Sequence, residues 1–192
     1  MTSWPIIRLQ VQRSPLKPGA APHRWYDPSP IVEVDALDVD PDGCIGVTVD
    51  GERILDVHHT RHPLSRDPRG QAGLTVMGTG DYAALRHTYG PQLADGIAGE
   101  SLLVEAPAGL AGLDFPEEMT IETGTGPEAL LGFRVASPCV EFTRFCLRRD
   151  AGDRVDQQVK DTLLALGNGA RGYRAVAAVA TTIRVGDRLR TP

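Results

Sequence analysis

The chain has 192 residues, 41% of them hydrophobic and 23% charged, a balance that excludes a disordered segment and fits one globular domain over 1–192. Its net charge of −5 excludes the basic field that general nucleic-acid binding requires. No apolar run approaches the ~20 residues that span a bilayer, and three cysteines are too few and odd in number for a disulfide framework, so a reducing cytoplasm and no membrane contact are expected.

Gly 21 and Pro 15 punctuate the chain more densely than average, which favours many short strands over a few long helices. The basic residues are almost all arginine, Lys17 and Lys160 being the only lysines. Trp4, Pro5 and Arg8 interrupt the start, so no signal-peptide core is expected there. Ile7, Leu9 and Val11 alternate with polar neighbours and predict a half-buried strand with those three on one face. Residues 13–30 carry repeated prolines and little periodicity, and read as a long surface connection. Alternation returns over 31–40. Ile45, Val47 and Val49 then lead into Asp50-Gly51 and a second strand at 52–57. Asp-Gly between alternating runs signals a hairpin with positive φ at both turn positions.

The polar, proline-broken stretch 58–73 predicts a loop, and Leu74, Val76 and Met77 a short strand. Thr79 is placed to cap a helix with Tyr82, Leu85 and Tyr89 on its inner side, ending at Gly90-Pro91. Further strands are expected at 101–105, 119–122 and 130–136, helices at 138–149 and 153–166, and closing strands at 173–181 and 183–189. About nine strands and three helices with no βαβ rhythm point to a mainly β barrel or sandwich.

Ala136-Ser137-Pro138-Cys139 stands where the strand pattern gives way to the helix pattern. Serine is a preferred N-cap and proline a preferred first helical residue, so Cys139 is expected at the second helical position. Free N–H groups and the positive end of the helix dipole favour a thiolate there. A buried cysteine acting as a small hydrophobe is the competing reading. Cys146, at helical spacing with Phe142, and Cys44, at a strand start, are expected to pack in the core.

Four blocks in order carry a resemblance: Gly99-Glu100-Ser101-Leu102-Leu103-Val104, then Ser137-Pro138-Cys139, then Arg171-Gly172-Tyr173-Arg174, then Ile183-Arg184-Val185-Gly186-Asp187. Together they resemble the MOSC domain, the C-terminal domain of molybdenum cofactor sulfurases, which also occurs as small stand-alone bacterial proteins. The resemblance implies a mostly β barrel with about three short helices. It also implies a reactive role for Cys139, as sulfur carrier or as the thiolate ligand of molybdenum in a molybdopterin cofactor. Pyridoxal phosphate binding is a further family-level association. Arg171, Arg174, Arg69, His58 and Glu100 are the residues expected to bind the cofactor, the arginines by gripping a phosphate. Reduction of N-hydroxylated substrates would draw electrons from a separate electron-transfer protein.

Several features diverge from the family pattern, among them Ala180-Thr181-Thr182 in place of a glycine-rich entry to the last strand and an Asp-x-His pair matched by Asp56-Val57-His58 beside the hairpin insertion. Two others bear on function. Ser101 stands where an asparagine is expected, and Arg69 substitutes for an arginine placed differently. They support a second reading, a non-enzymatic barrel that binds a small molecule or docks a partner. A zinc site from His58, His59, His62 and a cysteine is weighed against a histidine-rich loop, because the spacing lacks a zinc-motif pattern. No Gly-x-Ser-x-Gly elbow marks a serine hydrolase.

Overall fold

The computed structural model describes residues 2–65, 67, 70–71 and 73–192. Its first strand, β1 (Ser3–Gln12), pairs with three partners in succession. Ser3–Pro5 pair with β12 (Arg188–Arg190), Ile6–Leu9 with β7 (Leu102–Val104), and Leu9–Gln12 with β2 (Ile31–Val34). A register shift between Ile6 and Arg8 interrupts the alternation. Ile6, Leu9 and Val11 are therefore the buried residues and Ile7 turns outward, a correction to the strict alternation read from the sequence.

From β12 the sheet runs through β8 (Met119–Thr123), β9 (Gly126–Val135), β10 (Tyr173–Ala177), β6 (Leu74–Gly78) and β7 back to β1. The β12–β1 pairing closes these seven strands into a barrel, and β2 hangs from β1 outside the circuit. One neighbouring pair, β6 and β7, is parallel, with α1 (Thr79–Tyr89) in the crossover between them. Val76, Leu102 and Val104 face the barrel core from these two strands. Met77 and Leu103 face a second apolar cluster with Tyr82, Leu85, Phe142 and Cys146. Apolar residues on both faces are what a parallel pair covered on both sides requires.

The alternating run at 31–40 divides at Asp35, whose N–H donates to the Val47 carbonyl. Its second half, β3 (Ala36–Asp40), joins β4 (Gly43–Val47), β5 (Arg53–Leu55) and β11 (Thr181–Arg184) in a separate sheet ordered β11-β3-β4-β5. Leu37, Val39, Cys44 and Ile54 carry this sheet onto the barrel core. The β4–β5 hairpin forms, but of Asp50 and Gly51 only Gly51 takes a positive φ, +81°. The Gly51 N–H donates to the Thr48 carbonyl and the Thr48 N–H to the Glu52 carbonyl. That is a longer loop with a glycine bulge, not the two-residue turn.

Helix α1 is preceded by Gly78 as N-cap, and Thr79 is its first residue. Instead of the Thr79 hydroxyl, the Asp81 carboxylate takes the cap role by accepting the Gly78 N–H at 3.0 Å. Helices α2 (Val140–Cys146) and α3 (Gln157–Ala165) are shorter than their apolar patterns suggested. Asp156 caps α3 by accepting the Val159 N–H. Among the described residues no helix is long and apolar enough to cross a membrane.

Candidate functional site

Cys139 stands at the junction of β9 and α2, in the N-cap position one residue before the helix begins, with no cap hydrogen bond from its side chain. This corrects the expected second helical position. Its backbone is extended, with φ −132° and ψ 153°, and its carbonyl accepts both the N–H and the hydroxyl of Thr143. The side chain is half-buried against the cluster around Phe142, while Cys44 and Cys146 are sealed in the core. Burial pushes the Cys146 thiol up to about 12 and raises that of Cys44 as well.

Cys139 lines a cleft of about 310 Å³ whose walls also include Lys17, Tyr26, His58, Arg171 and Arg174. Lys17, Arg171 and Arg174, against the one carboxylate Asp67, give the cleft a net positive lining in an acidic chain. Arg171 reaches it from the turn before β10. That turn needs Gly172, whose φ is +86° and where a Cβ would stand 2.4 Å from the Val76 carbonyl oxygen. The Arg171 guanidinium lies 4.3 Å over the Phe142 ring and donates to the Ala98 carbonyl. Burial works against its charge, yet Tyr26, Cys139, Tyr82 and Glu100 around it hold its pKa above the ordinary guanidinium value. Arg174, on the face of β10 opposite the core residues Tyr173 and Ala175, also lines the cleft, and its Nε is buried without a hydrogen-bond partner among the described residues.

His58 is oriented by Asp56. One Asp56 oxygen lies 2.9 Å from His58 Nδ1 and accepts the His58 backbone N–H at 2.8 Å; the other accepts the Gln12 N–H at 2.7 Å. An ionised carboxylate can only accept, so the neutral ring carries its proton on Nδ1 and its lone pair on Nε2. The other histidines of the loop point to different partners. His59 Nδ1 accepts the Arg61 N–H, and His62 accepts from Leu64 N–H and faces the Arg13 carbonyl. Among the described residues no three His, Cys, Asp or Glu gather to hold a metal ion.

Glu100 is not on the cleft wall. It lies buried behind it, taking the Tyr82 hydroxyl, and burial raises its pKa although Tyr82, Arg171 and Arg8 oppose this. Arg69 lies outside the described residues. The structure thus brings Cys139, Arg171, Arg174 and His58 to one cleft, with Glu100 beneath it.

Lys17 and Tyr26 were not singled out from sequence, because 13–30 read as a surface connection. The segment instead folds back, with the Asp27 N–H on the Leu16 carbonyl and the Tyr26 hydroxyl on the Ile97 carbonyl, and Leu16 and Tyr26 are buried. The available signal was Lys17 itself, one of two lysines in an arginine-dominated chain.

No family model and no curated protein matches the chain. Solved structures do. The chain is similar to the YuaD protein from Bacillus subtilis, with a TM-score of 0.58 and 11% identity over 98% of this chain and 94% of that one. It is similar to YiiM from Escherichia coli, with a TM-score of 0.57 and 12% identity over 100% of this chain and 70% of that one. A hypothetical protein matches with a TM-score of 0.58 and 10% identity, over 99% of this chain and 68% of that one. At such identities the likeness shows a shared fold, in keeping with the MOSC-type barrel implied by the four sequence blocks.

Proposed function

We propose that this chain is a cytoplasmic MOSC-type protein that holds a molybdopterin cofactor, or a sulfurated group, in the cleft beside Cys139. The observation that carries this reading is the meeting of one half-buried thiol with Lys17, His58, Arg171 and Arg174 around a cleft of about 310 Å³. The donor set suits the group. A cysteine sulfur is a soft ligand for a transition metal, and guanidinium groups grip a phosphate through two N–H bonds at once. The cleft volume lies at the lower end of the ~300–1,000 Å³ range of small-molecule sites. The buried Arg174 Nε is a donor aimed at no protein acceptor among the described residues, which favours a ligand oxygen there.

In this reading Cys139 is the metal ligand or the sulfur carrier, and Arg171 and Arg174 hold the phosphate. Phe142 and the Ala98 carbonyl fix the Arg171 side chain before any ligand arrives. When bound, molybdenum supplies two-electron redox chemistry, suited to reduction of N-hydroxylated substrates with electrons from a separate protein. His58, with its tautomer set by Asp56, is the proton-handling group on the same wall.

One observation favours a ligand-binding module without redox chemistry. Ser101, in place of the family's asparagine, spends its backbone N–H on Thr75 and sets its hydroxyl against the same residue, a structural use. Molybdenum and pterin analysis of gently purified protein separates the readings. The cofactor reading expects both in the wild type and loss of molybdenum in Cys139→Ser. Molybdenum retained in that variant removes Cys139 as ligand, and neither component in the wild type leaves the binding module.

A further inference from the structure

Tyr26 has cleft on one side and a second, smaller cavity on the other. The small cavity, about 50 Å³, is lined by Arg24, Arg144, Arg149, Glu141, Trp25 and Phe145 besides Tyr26. Tyr26 is buried, bonded to Ile97 and set edge-on against Phe142, so it is a fixed partition and the two spaces are separate.

The charges around this cavity do not cancel. Arg24 pairs with Glu141 at 3.1 Å, and Arg149 with Asp156 at 2.8 Å. Arg144 is 8% exposed and has no carboxylate partner among the described residues. It donates one N–H to the Asp153 carbonyl, and its Nε, like that of Arg24, is buried without a hydrogen-bond partner among the described residues. Of the three guanidinium groups on the cavity wall, two are thus answered by a carboxylate and that of Arg144 is not. A guanidinium held out of water without a counter-charge is costly unless an anion answers it. The volume has room for a few waters or for one tetrahedral oxyanion, and is too small for a ring. Trp25, 47% exposed, adds an apolar face for whatever the anion is attached to.

We propose that the cavity behind Tyr26 is a phosphate-binding site, taking inorganic phosphate or the phosphate of a small monoester through Arg24, Arg144 and Arg149. It is independent of the cleft and of the cofactor reading.

Trp25 is the reporter. In a Trp4→Phe background it is the sole tryptophan, and its fluorescence is followed while sodium phosphate or glycerol 3-phosphate replaces sodium chloride at constant ionic strength. The proposal expects a saturable change. It expects the midpoint to rise about tenfold or more in Arg149→Gln and in Arg24→Gln, the loss of one charge-assisted hydrogen-bonding group. It expects Arg174→Gln, on the cleft side, to leave the midpoint unchanged. A tighter midpoint for glycerol 3-phosphate assigns the organic part to Trp25; equal midpoints assign the site to the phosphate group alone. No saturable response to either probe overturns the proposal. So does a response that survives both arginine substitutions, or one that Arg174→Gln abolishes.

Discussion

Tyr82 donates its phenolic proton to Glu100 across 2.6 Å, and the same Tyr82 oxygen accepts the Ala98 N–H at 2.9 Å. The carbonyl of Ala98 in turn takes the Arg171 guanidinium. One residue, through its N–H and its carbonyl, therefore links a buried carboxyl to the cation on the cleft wall. Behind the cleft stands a fixed polar chain from Glu100 through Tyr82 and Ala98 to Arg171, with both polar ends of Ala98 occupied.

Replacing Tyr82 with phenylalanine keeps the ring in its apolar cluster and removes only the hydroxyl. The Ala98 N–H and one Glu100 oxygen are then stranded away from water. Each stranded group costs about 1–3 kcal/mol, so Tyr82→Phe is expected to lower stability by roughly 2–6 kcal/mol in urea unfolding. An unchanged midpoint would show that water or another group satisfies them.

Glu100 makes a pH dependence of definite sign. Its ordinary pKa is 4.5, and burial raises it in the folded protein. As pH rises past 4.5 the unfolded chain releases its proton while the folded chain keeps it. Stability therefore falls with rising pH from there until the folded-state pKa is passed. Glutamine cannot titrate. The difference in unfolding free energy between wild type and Glu100→Gln should change steadily from pH 4 upward; a flat difference would place Glu100 in a wetter setting.

His59 produces the opposite slope. Its ring is fully buried, burial lowers its pKa below the ordinary 6.5, and its Nδ1 accepts the Arg61 N–H. Below pH 6.5 the unfolded chain takes up a proton that the folded chain refuses, so stability falls as pH drops through that value. Asp40, 3.9 Å from Nε2, softens the effect without reversing it. Asparagine offers an acceptor near the Nδ1 position but does not titrate, so His59→Asn should flatten the profile between pH 7 and 5. A profile as steep as the wild type's would assign the acid sensitivity to other groups.

Patterns that depend on neighbours in sequence were legible; those that depend on neighbours in space were not. The alternation in 31–40 marked strands correctly but not that Asp35 hands the chain from one sheet to another, because that switch is made by a hydrogen bond to Val47. Ile7 was placed inside by alternation and turned outside by a bulge, which leaves no mark on composition. At the cleft, Cys139 stood out because Ser-Pro precedes it, although the helix starts one residue beyond it. Arg171 and Arg174 came with their block. Lys17 and Tyr26 did not, since proline-rich segments give no periodic signal of the surface they cover. The block that contains Glu100 gives no sign of its depth: the side chain points toward Tyr82 behind the wall.

The three cysteines give the most direct check on the wall of the cleft. Cys44 and Cys146 are 0% and 1% exposed, and burial raises both thiols, so neither the sulfur's surface nor its thiolate is offered to a reagent in the folded protein. Cys139 is half-buried at the edge of a cleft wide enough to admit iodoacetamide. Native protein should therefore take up one label, and denatured protein three. The two slow thiols must wait for the core to open, which at a global stability of ~5 kcal/mol or more makes them slower by roughly several thousandfold or more. Cys139→Ser should abolish the fast label and leave the slow pair unchanged, whereas Arg174→Gln, which shortens another side chain lining the cleft, should keep it. Two fast labels in the wild type would mean that the Phe142 cluster does not seal Cys146, and that Cys139 is not singled out by access.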